Sequence, residues 1–303
     1  MTTDYKILGS GIDGIVVYPA VPCENLNIDY TKYVSKFGRE SGLENTKKTF
    51  DKLPDSLNNI AYKKDAYLCD YDTTINLDLP RKVGKKQLII PFIDGKSIME
   101  YIENGLSSCQ WYKLLAASIK FYDIIILLQN EKVYHNDISL DNMMYNEKTN
   151  KLLLIDFDKS TFNEPKKTSK MIGFNDRTKQ YTTIYDYNGN YAYMNDVKTY
   201  IYGIVFGIID TMMEDKKYYN IMKKYNIDHF DKYGDIIEQF QHIKSITPQL
   251  KKELCSSKRS TTSKRSTSYK TARQSSSKRS TSSKRSRSSS YKTARQSSTK
   301  KTT

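Results

Sequence analysis

His135-Asn136-Asp137-Ile138-Ser139-Leu140-Asp141-Asn142, then the apolar run Leu152-Leu153-Leu154-Ile155, then Asp156-Phe157-Asp158: these stretches decide how the rest of the chain is read. They put an aspartate and an asparagine five residues apart on one loop, with another aspartate at the end of a short strand. Phosphoryl transfer requires few chemical parts, namely a carboxylate near the acceptor hydroxyl and hard oxygen ligands that hold Mg²⁺ on the phosphates. A loop of this kind can aim Asp137 at an acceptor and Asn142 at a metal, and Asp156 at a neighbouring strand end completes the metal site. A surface loop can carry His, Asp and Asn by chance, and an ordinary strand can end in aspartate. Both features in this order, after a long apolar helix and with strands between them, favour the chemical reading.

Upstream of the loop, Ser108 is the expected N-cap of a helix over 110–130, with Leu114, Leu115, Ile119, Tyr122, Ile126 and Leu127 as its apolar stripe. Short strands are expected at 143–146 and 151–155 around a turn at 147–150, and an apolar helix at 197–213. Nearer the N-terminus, Gly9-Ser10-Gly11-Ile12-Asp13-Gly14-Ile15-Val16 lies between two strand-like runs. Glycines let a backbone approach phosphates without a Cβ in the way. Because a strand follows this loop, where a dinucleotide fold would open a helix, a hairpin is the better reading. A third strand is expected at 30–37, helical spacing at 41–57, and a β-branched run at 87–93 that ends in the turn signal Asp94-Gly95. Gly42 to Thr49 mimics a P-loop only superficially, since Lys47 stands where the second glycine belongs and no clear strand precedes it. Strands first and mostly helices later make the fold class α+β.

Together these segments resemble the eukaryotic protein kinase-like superfamily, in a compact, divergent form of the sort found in large DNA viruses, over roughly residues 5–210. The resemblance implies a bilobal fold, with a small β-rich N-lobe at 1–93, a mainly helical C-lobe at 94–255, and ATP and Mg²⁺ between them. Carried over by position, Asp137 is the catalytic base or acceptor-orienting residue, Asn142 and Asp156 are the Mg²⁺ ligands, and His135 is a structural support. Gly9, Ser10, Gly11 and Gly14 cover the phosphates, and Val16 and Val34 pack on adenine. Lys36, in Tyr33-Val34-Ser35-Lys36, contacts the phosphates, with Glu44 of the following helix as its partner and Glu40 as runner-up. Ile90 is the gatekeeper, the Pro91 carbonyl accepts from the adenine amine, and the Ile93 N–H donates to the ring. Asp196 is the candidate brace of the catalytic loop, although its spacing to Gly203 is expanded.

The chain departs from the family pattern at several positions. Asn136 replaces the usual arginine, so activity should not depend on a phosphorylated activation loop. Ser139 stands where a lysine would neutralise the transferring phosphate, Asp158 replaces the glycine of D-F-G, and no clear A-P-E follows the stretch 160–193. The expected activity is ATP-dependent phosphorylation of protein Ser/Thr hydroxyls by a monomer. The alternatives are an aminoglycoside or choline kinase-like small-molecule phosphotransferase, or a nucleotide-binding pseudokinase.

Charge is concentrated in one segment. Of 49 basic residues, 15 lie in 256–303, which has no Asp or Glu; the 34 that remain in 1–255 match 34 acidic residues. The net +15 is therefore a property of the tail, and it says nothing about nucleic-acid binding by the rest. Twenty-seven of the tail's 48 residues are Ser or Thr, and Ser-Tyr-Lys-Thr-Ala-Arg-Gln-Ser-Ser occurs twice. With almost nothing apolar to bury, it is expected to be disordered. It suits a plain solvated extension, a polyanion or nucleic-acid binder, or a phosphorylation target. Cys23, Cys69, Cys109 and Cys255 are far apart and form no C-x-x-C, which argues against zinc and against a disulfide framework. Without a signal pattern or a run of ~20 apolar residues, the expected place is inside a cell, in cytoplasm or nucleus, or in a virion or host cell should the chain be viral.

Overall fold

The computed structural model describes residues 4–10, 14–57, 64–72, 74–75, 77, 84–168, 185–188, 191–228, 230 and 235–256. The chain divides into two units, residues 1–258 and 259–303. The expected basic tail, apart from Ser256, and Gly11 of the glycine loop lie outside the described residues. The fold is mixed α+β, with a β-sheet region first and helices later.

Strands β1 (Lys6–Ser10), β2 (Gly14–Tyr18) and β3 (Tyr33–Gly38) are followed by helix α1 (Glu40–Lys52) and by β4 (Tyr67–Asp70) and β5 (Lys86–Pro91). These five strands form one antiparallel sheet in the order β1-β2-β3-β5-β4. Side chains alternate across a strand, and directly paired residues share a face. Val16 pairs with Lys36, Val34 with Ile90, and Lys36 with Leu88, so these five positions lie on one face. The opposite face carries two small clusters, Ile15, Val17, Val21 and Phe37, and Ala20, Cys23 and Ile89.

Next come β6 (Lys96–Ser97), α2 (Ile98–Glu103), α3 (Ser108–Asn130), β7 (Val133–Tyr134), β8 (Met143–Asn146) and β9 (Lys151–Leu154). Strands β6, β8 and β9 make a small antiparallel sheet, in which Met143 pairs with Leu154. That pairing brings the end of the 135–142 loop against the end of β9. Beyond it lie β10 (Thr161–Phe162), which pairs with β7, and β11 (Lys167–Thr168), β12 (Tyr185–Asn188) and β13 (Tyr191–Met194), which pair with one another. Four helices close the described chain: α4 (Asp196–Tyr200), α5 (Gly207–Met213), α6 (Lys216–Lys223) and α7 (Ile236–Cys255).

Helix α3 starts two residues earlier than expected, and its cap lies one residue earlier. Ser107, not Ser108, is its N-cap, in a capping box where Ser107 Oγ accepts from Gln110 N and Gln110 Oε1 accepts from Ser107 N. Its buried face also differs from the expected stripe. Leu114, Leu115 and Ile119 are buried but Leu127 is exposed, while Trp111, Phe121, Ile125 and Leu128 join the core. A helix that is apolar almost all round leaves the facing direction to its neighbours. The helix expected at 197–213 begins at Asp196 and contains a π-helical stretch, Ile201–Phe206. Wider winding there takes up the expanded spacing between Asp196 and Gly203. Helix α7 has no counterpart among the sequence expectations, although Asp235 caps it by accepting from Ile237 N and Glu238 N and Ile236, Phe240, Ile243 and Leu250 are buried at helical spacing.

One continuous core links α1 with its C-cap (Leu43, Phe50, Leu53), α3 (Leu114, Leu115), β8–β9 (Met143, Leu154) and α7 (Phe240, Leu250). Leu88 of the large sheet belongs to it as well. The cysteine expectation is corrected: Cys23 pairs with Cys69 and Cys109 with Cys255, across 46 and 146 residues of sequence. Distance along the chain hid both pairs, because the first depends on a bridge between Cys23 and Tyr71 beside β4 and the second on α3 starting where α7 ends. No helix among the described residues is long and apolar enough to cross a membrane.

Candidate functional site

The loop of residues 133–142 is held from behind by Asp196. Its Oδ2 accepts from His135 N at 2.5 Å and its Oδ1 from Asn136 N at 3.0 Å. Burial pushes the Asp196 carboxyl up, against the opposing pull of His135 and these two N–H groups. His135 is 2% exposed, and its Nε2 lies 2.8 Å from the Ile155 carbonyl. A carbonyl only accepts, so Nε2 carries the proton and the buried Nδ1 is left without a partner among the described residues. The ring packs edge-on to Phe157 at 4.8 Å, so the support expected of His135 runs to the Asp156-Phe157-Asp158 segment.

Asn136, next to His135, works as a connector. With φ at 60° it turns the chain, a conformation Asn tolerates better than most residues. Its Nδ2 donates to the Tyr134 and Lys159 carbonyls and to Thr161 Oγ1, and its Oδ1 accepts from Lys166 N. The neutral amide thus ties the loop to the 159–166 segment through hydrogen bonds alone.

Asp137 and Asn142 face each other. Asn142 Nδ2 donates to the Asp137 carbonyl at 2.8 Å and to Asp137 Oδ2 at 3.2 Å. That orientation leaves Asn142 Oδ1, the atom suited to a hard cation, without a hydrogen bond among the described residues. The Asn142 carbonyl accepts from Ile155 N at 2.9 Å, which fastens the loop to the residue before Asp156. Lys159 Nζ lies 2.9 Å from Asp137 Oδ2, an ion pair that no sequence signal had suggested. The Ser139 hydroxyl accepts from Asn142 N at 3.3 Å.

Lys36 reaches this segment from β3. Its Nζ is 2.7 Å from Asp156 Oδ1 and 2.9 Å from Asp158 Oδ2. Asp156 has φ and ψ both at 66°, a left-handed conformation that lifts its side chain at the strand end. Burial works against every charge in this trio, lowering the Lys36 pKa and raising those of the two carboxyls. For Lys36 the two aspartates outweigh burial, and its pKa is raised. For Asp156 the ammonium outweighs burial, and its carboxyl is held below the usual range. Asp158 goes the other way, pushed up by burial with Asp156 beside it.

The expected Lys36–Glu44 pair is not formed. Glu44 Oε1 lies 3.1 Å from Lys86 Nζ, and Glu40, the runner-up, contacts the same ammonium. All three side chains are substantially exposed. With Glu40 and Glu44 four residues apart on a helix that begins only two residues after β3, both acids share the face toward β5, and Lys36 finds its anions elsewhere.

A cleft between sheet and helices is lined by Lys36, Thr46, Ile90, Pro91, Ile93 and Asp156, among others. It brings together five of the residues singled out from sequence. Val16 and Val34 lie on the same sheet face as Lys36 and Ile90. Gly14 approaches the Phe37 carbonyl so closely that a Cβ would sit 2.5 Å from that oxygen, so only glycine fits. Gly9 and Ser10 lie on exposed β1.

Mg²⁺ takes hard oxygen donors and keeps several waters and phosphate oxygens, so one carboxylate and one amide oxygen on the protein are enough. Asp156 and Asn142 supply those donor types, and the free Asn142 Oδ1 suits the role. Among the described residues there is no group of three or more His, Cys, Asp or Glu that could hold a metal unaided. No family model matches this chain, and no curated protein does.

Proposed function

We propose that this chain is an ATP- and Mg²⁺-dependent phosphotransferase with a bilobal protein kinase-like fold, directed to Ser/Thr hydroxyls of proteins. The observation that carries the reading is the Lys36–Asp156 contact of 2.7 Å, made across 120 residues of sequence between the sheet and the 135–158 segment. A lysine on a central strand, opposite an aspartate that is fastened to an Asp/Asn loop, is an arrangement suited to gripping phosphates from two sides. The apolar face with Val16, Val34 and Ile90 suits a purine ring, and the Pro91 carbonyl and Ile93 N–H give it polar edges to meet.

In this reading Lys36 donates to phosphate oxygens, and Asn142 and Asp156 hold the metal. Bound Mg²⁺ would offset the negative charge of the phosphates. Asp137 orients the acceptor hydroxyl and takes its proton, and Asn142 fixes the Asp137 carboxylate through its amide hydrogens. The cleft as it stands holds about 30 Å³, far less than ligand pockets of several hundred Å³. In this reading the sheet and the helical part therefore move apart to admit a nucleotide, as closing sites do elsewhere.

The test is labelled ATP with Mg²⁺, offered to the full chain with generic basic proteins and a panel of aminoglycosides and choline, beside Asp137→Asn. Label in protein Ser/Thr that falls at least ~100-fold in Asp137→Asn is the expected outcome. Label in a metabolite alone would replace protein by a small-molecule acceptor. ATP binding without transfer would leave a nucleotide-binding protein, and absence of ATP binding would sink the proposal.

A further inference from the structure

The acidic partner of Lys36 sits in an unexpected place, and its meaning rests on the nucleotide site proposed above. Helix α1 runs directly past the Lys36 ammonium but presents no carboxylate to it. What it presents instead is Gly42 and Thr46. A Cβ on Gly42 would lie 2.9 Å from Asp158 Oδ2 and 3.1 Å from its Cγ, well inside contact distance. Glycine is unfavourable inside a helix, and here its missing side chain is the space that the Asp158 carboxylate fills. One turn further along, Thr46 Oγ1 donates to Asp158 Oδ1 at 2.5 Å. Between them Asn45 Nδ2 donates to the carbonyls of Phe157, Asp158 and Ser160. Three features of α1 within little more than one turn, the gap at Gly42, the Asn45 amide and the Thr46 hydroxyl, are thus fitted to the segment that carries Asp158.

The two aspartates on Lys36 are held differently. Both Asp158 oxygens are engaged, one by Lys36 and one by Thr46, and its side chain is 13% exposed. Asp156 meets Lys36 through one oxygen and is 26% exposed. We propose that Asp158 is the positioning residue that holds Lys36 in the cleft, and that Asp156 is the partner Lys36 gives up when phosphates and metal arrive. Asp158 then does the work that the resemblance assigns to an acid on α1. Because Asp158 stands two residues from Asp156 on one segment, the lysine and the metal ligand are aligned by the same short stretch of chain.

Double-mutant cycles in denaturant unfolding of the full chain test this without nucleotide. Lys36→Met and Asp158→Asn should be coupled by at least about fivefold in the folding equilibrium constant, whereas Lys36→Met and Glu44→Gln should be additive within about twofold. Additivity of the first pair, or equal coupling of the second, overturns the proposal. Should Asp158→Asn fail to fold, Thr46→Val removes only the hydroxyl's grip; it should couple to Lys36→Met with the same sign, and strict additivity overturns the proposal there too. A second arm titrates a fluorescent ATP analogue against wild type and Asp158→Asn. About tenfold weaker binding is expected, and unchanged binding by a folded Asp158→Asn overturns the positioning role. A wild type that binds no ATP sinks the nucleotide reading and leaves the cycles to decide Asp158 alone.

Discussion

The sheet side and the helical side of the cleft are built by different forces. On the helical side, Asp137, Asn142 and Asp156 stand on backbone that is hydrogen-bonded to Asp196, Ile155 and His135 and backed by the large continuous core. On the sheet side, the outer face rests on two clusters of four and three buried residues, and Lys36 is placed mainly by ion pairs to the other side. Local stability follows the density of buried contacts. The helical side therefore supplies the firmer frame, and the sheet side is the part expected to open more readily.

The largest effect that tests this contrast is expected at Phe157. It is fully buried, 4.8 Å from the His135 ring and 5.5 Å from Phe50, so Phe157→Ala should cost about 3–5 kcal/mol in denaturant unfolding. Next comes Asp196→Ala, which strands two buried backbone N–H groups and should cost about 2–4 kcal/mol. Val17→Ala, in the four-residue cluster of the sheet, should cost about 1–2 kcal/mol. Amide exchange should then quicken in β1 and β2 without reaching α3. A Val17→Ala loss as large as that of Phe157→Ala would erase the distinction between the two sides.

The smallest effect sharpens the comparison at high pH. Tyr145, in the large core, has its phenol pushed up to about 12, first by burial and then by Glu147. The folded pKa lies above the ordinary 10.0, so this group's contribution is complete below pH 10 and is lost as pH rises from about 10 to about 12. Tyr145→Phe should flatten that part of the alkaline unfolding curve. An unchanged slope would move the alkaline weakness to another phenol that burial raises, Tyr101, Tyr122 or Tyr200 of the same part or Tyr33 of the sheet.

Much of the frame was legible beforehand because its signals are local. The hairpin around the glycine loop, the strand with Lys36, the helix after Ser107 and the strands beside 147–150 are written in alternation, helical spacing and turn residues. The π-helical stretch announced itself only as an odd distance between Asp196 and Gly203. Helix α7 was missed despite its cap and its buried Phe240, because Pro248 and scattered lysines interrupt its pattern. Asp158 stands out in the sequence as a departure from the D-F-G pattern, but its contact with Lys36 is not legible there, since nothing in a glycine at position 42 says which carboxylate will fill the gap.

Residue order alone specifies which groups are available: a lysine on an early strand, an Asp/Asn loop, an aspartate after an apolar strand, and a tail rich in positive charge. Their partners are set by packing. It gave Lys36 to Asp156 and Asp158, turned Glu40 and Glu44 toward Lys86, set Asp196 beneath the loop and joined the cysteines in pairs. The physical reason is range. Strand and helix periods express interactions between residues a few positions apart, whereas an ion pair across 120 residues exists only once the sheet, α1 and the loop have packed together.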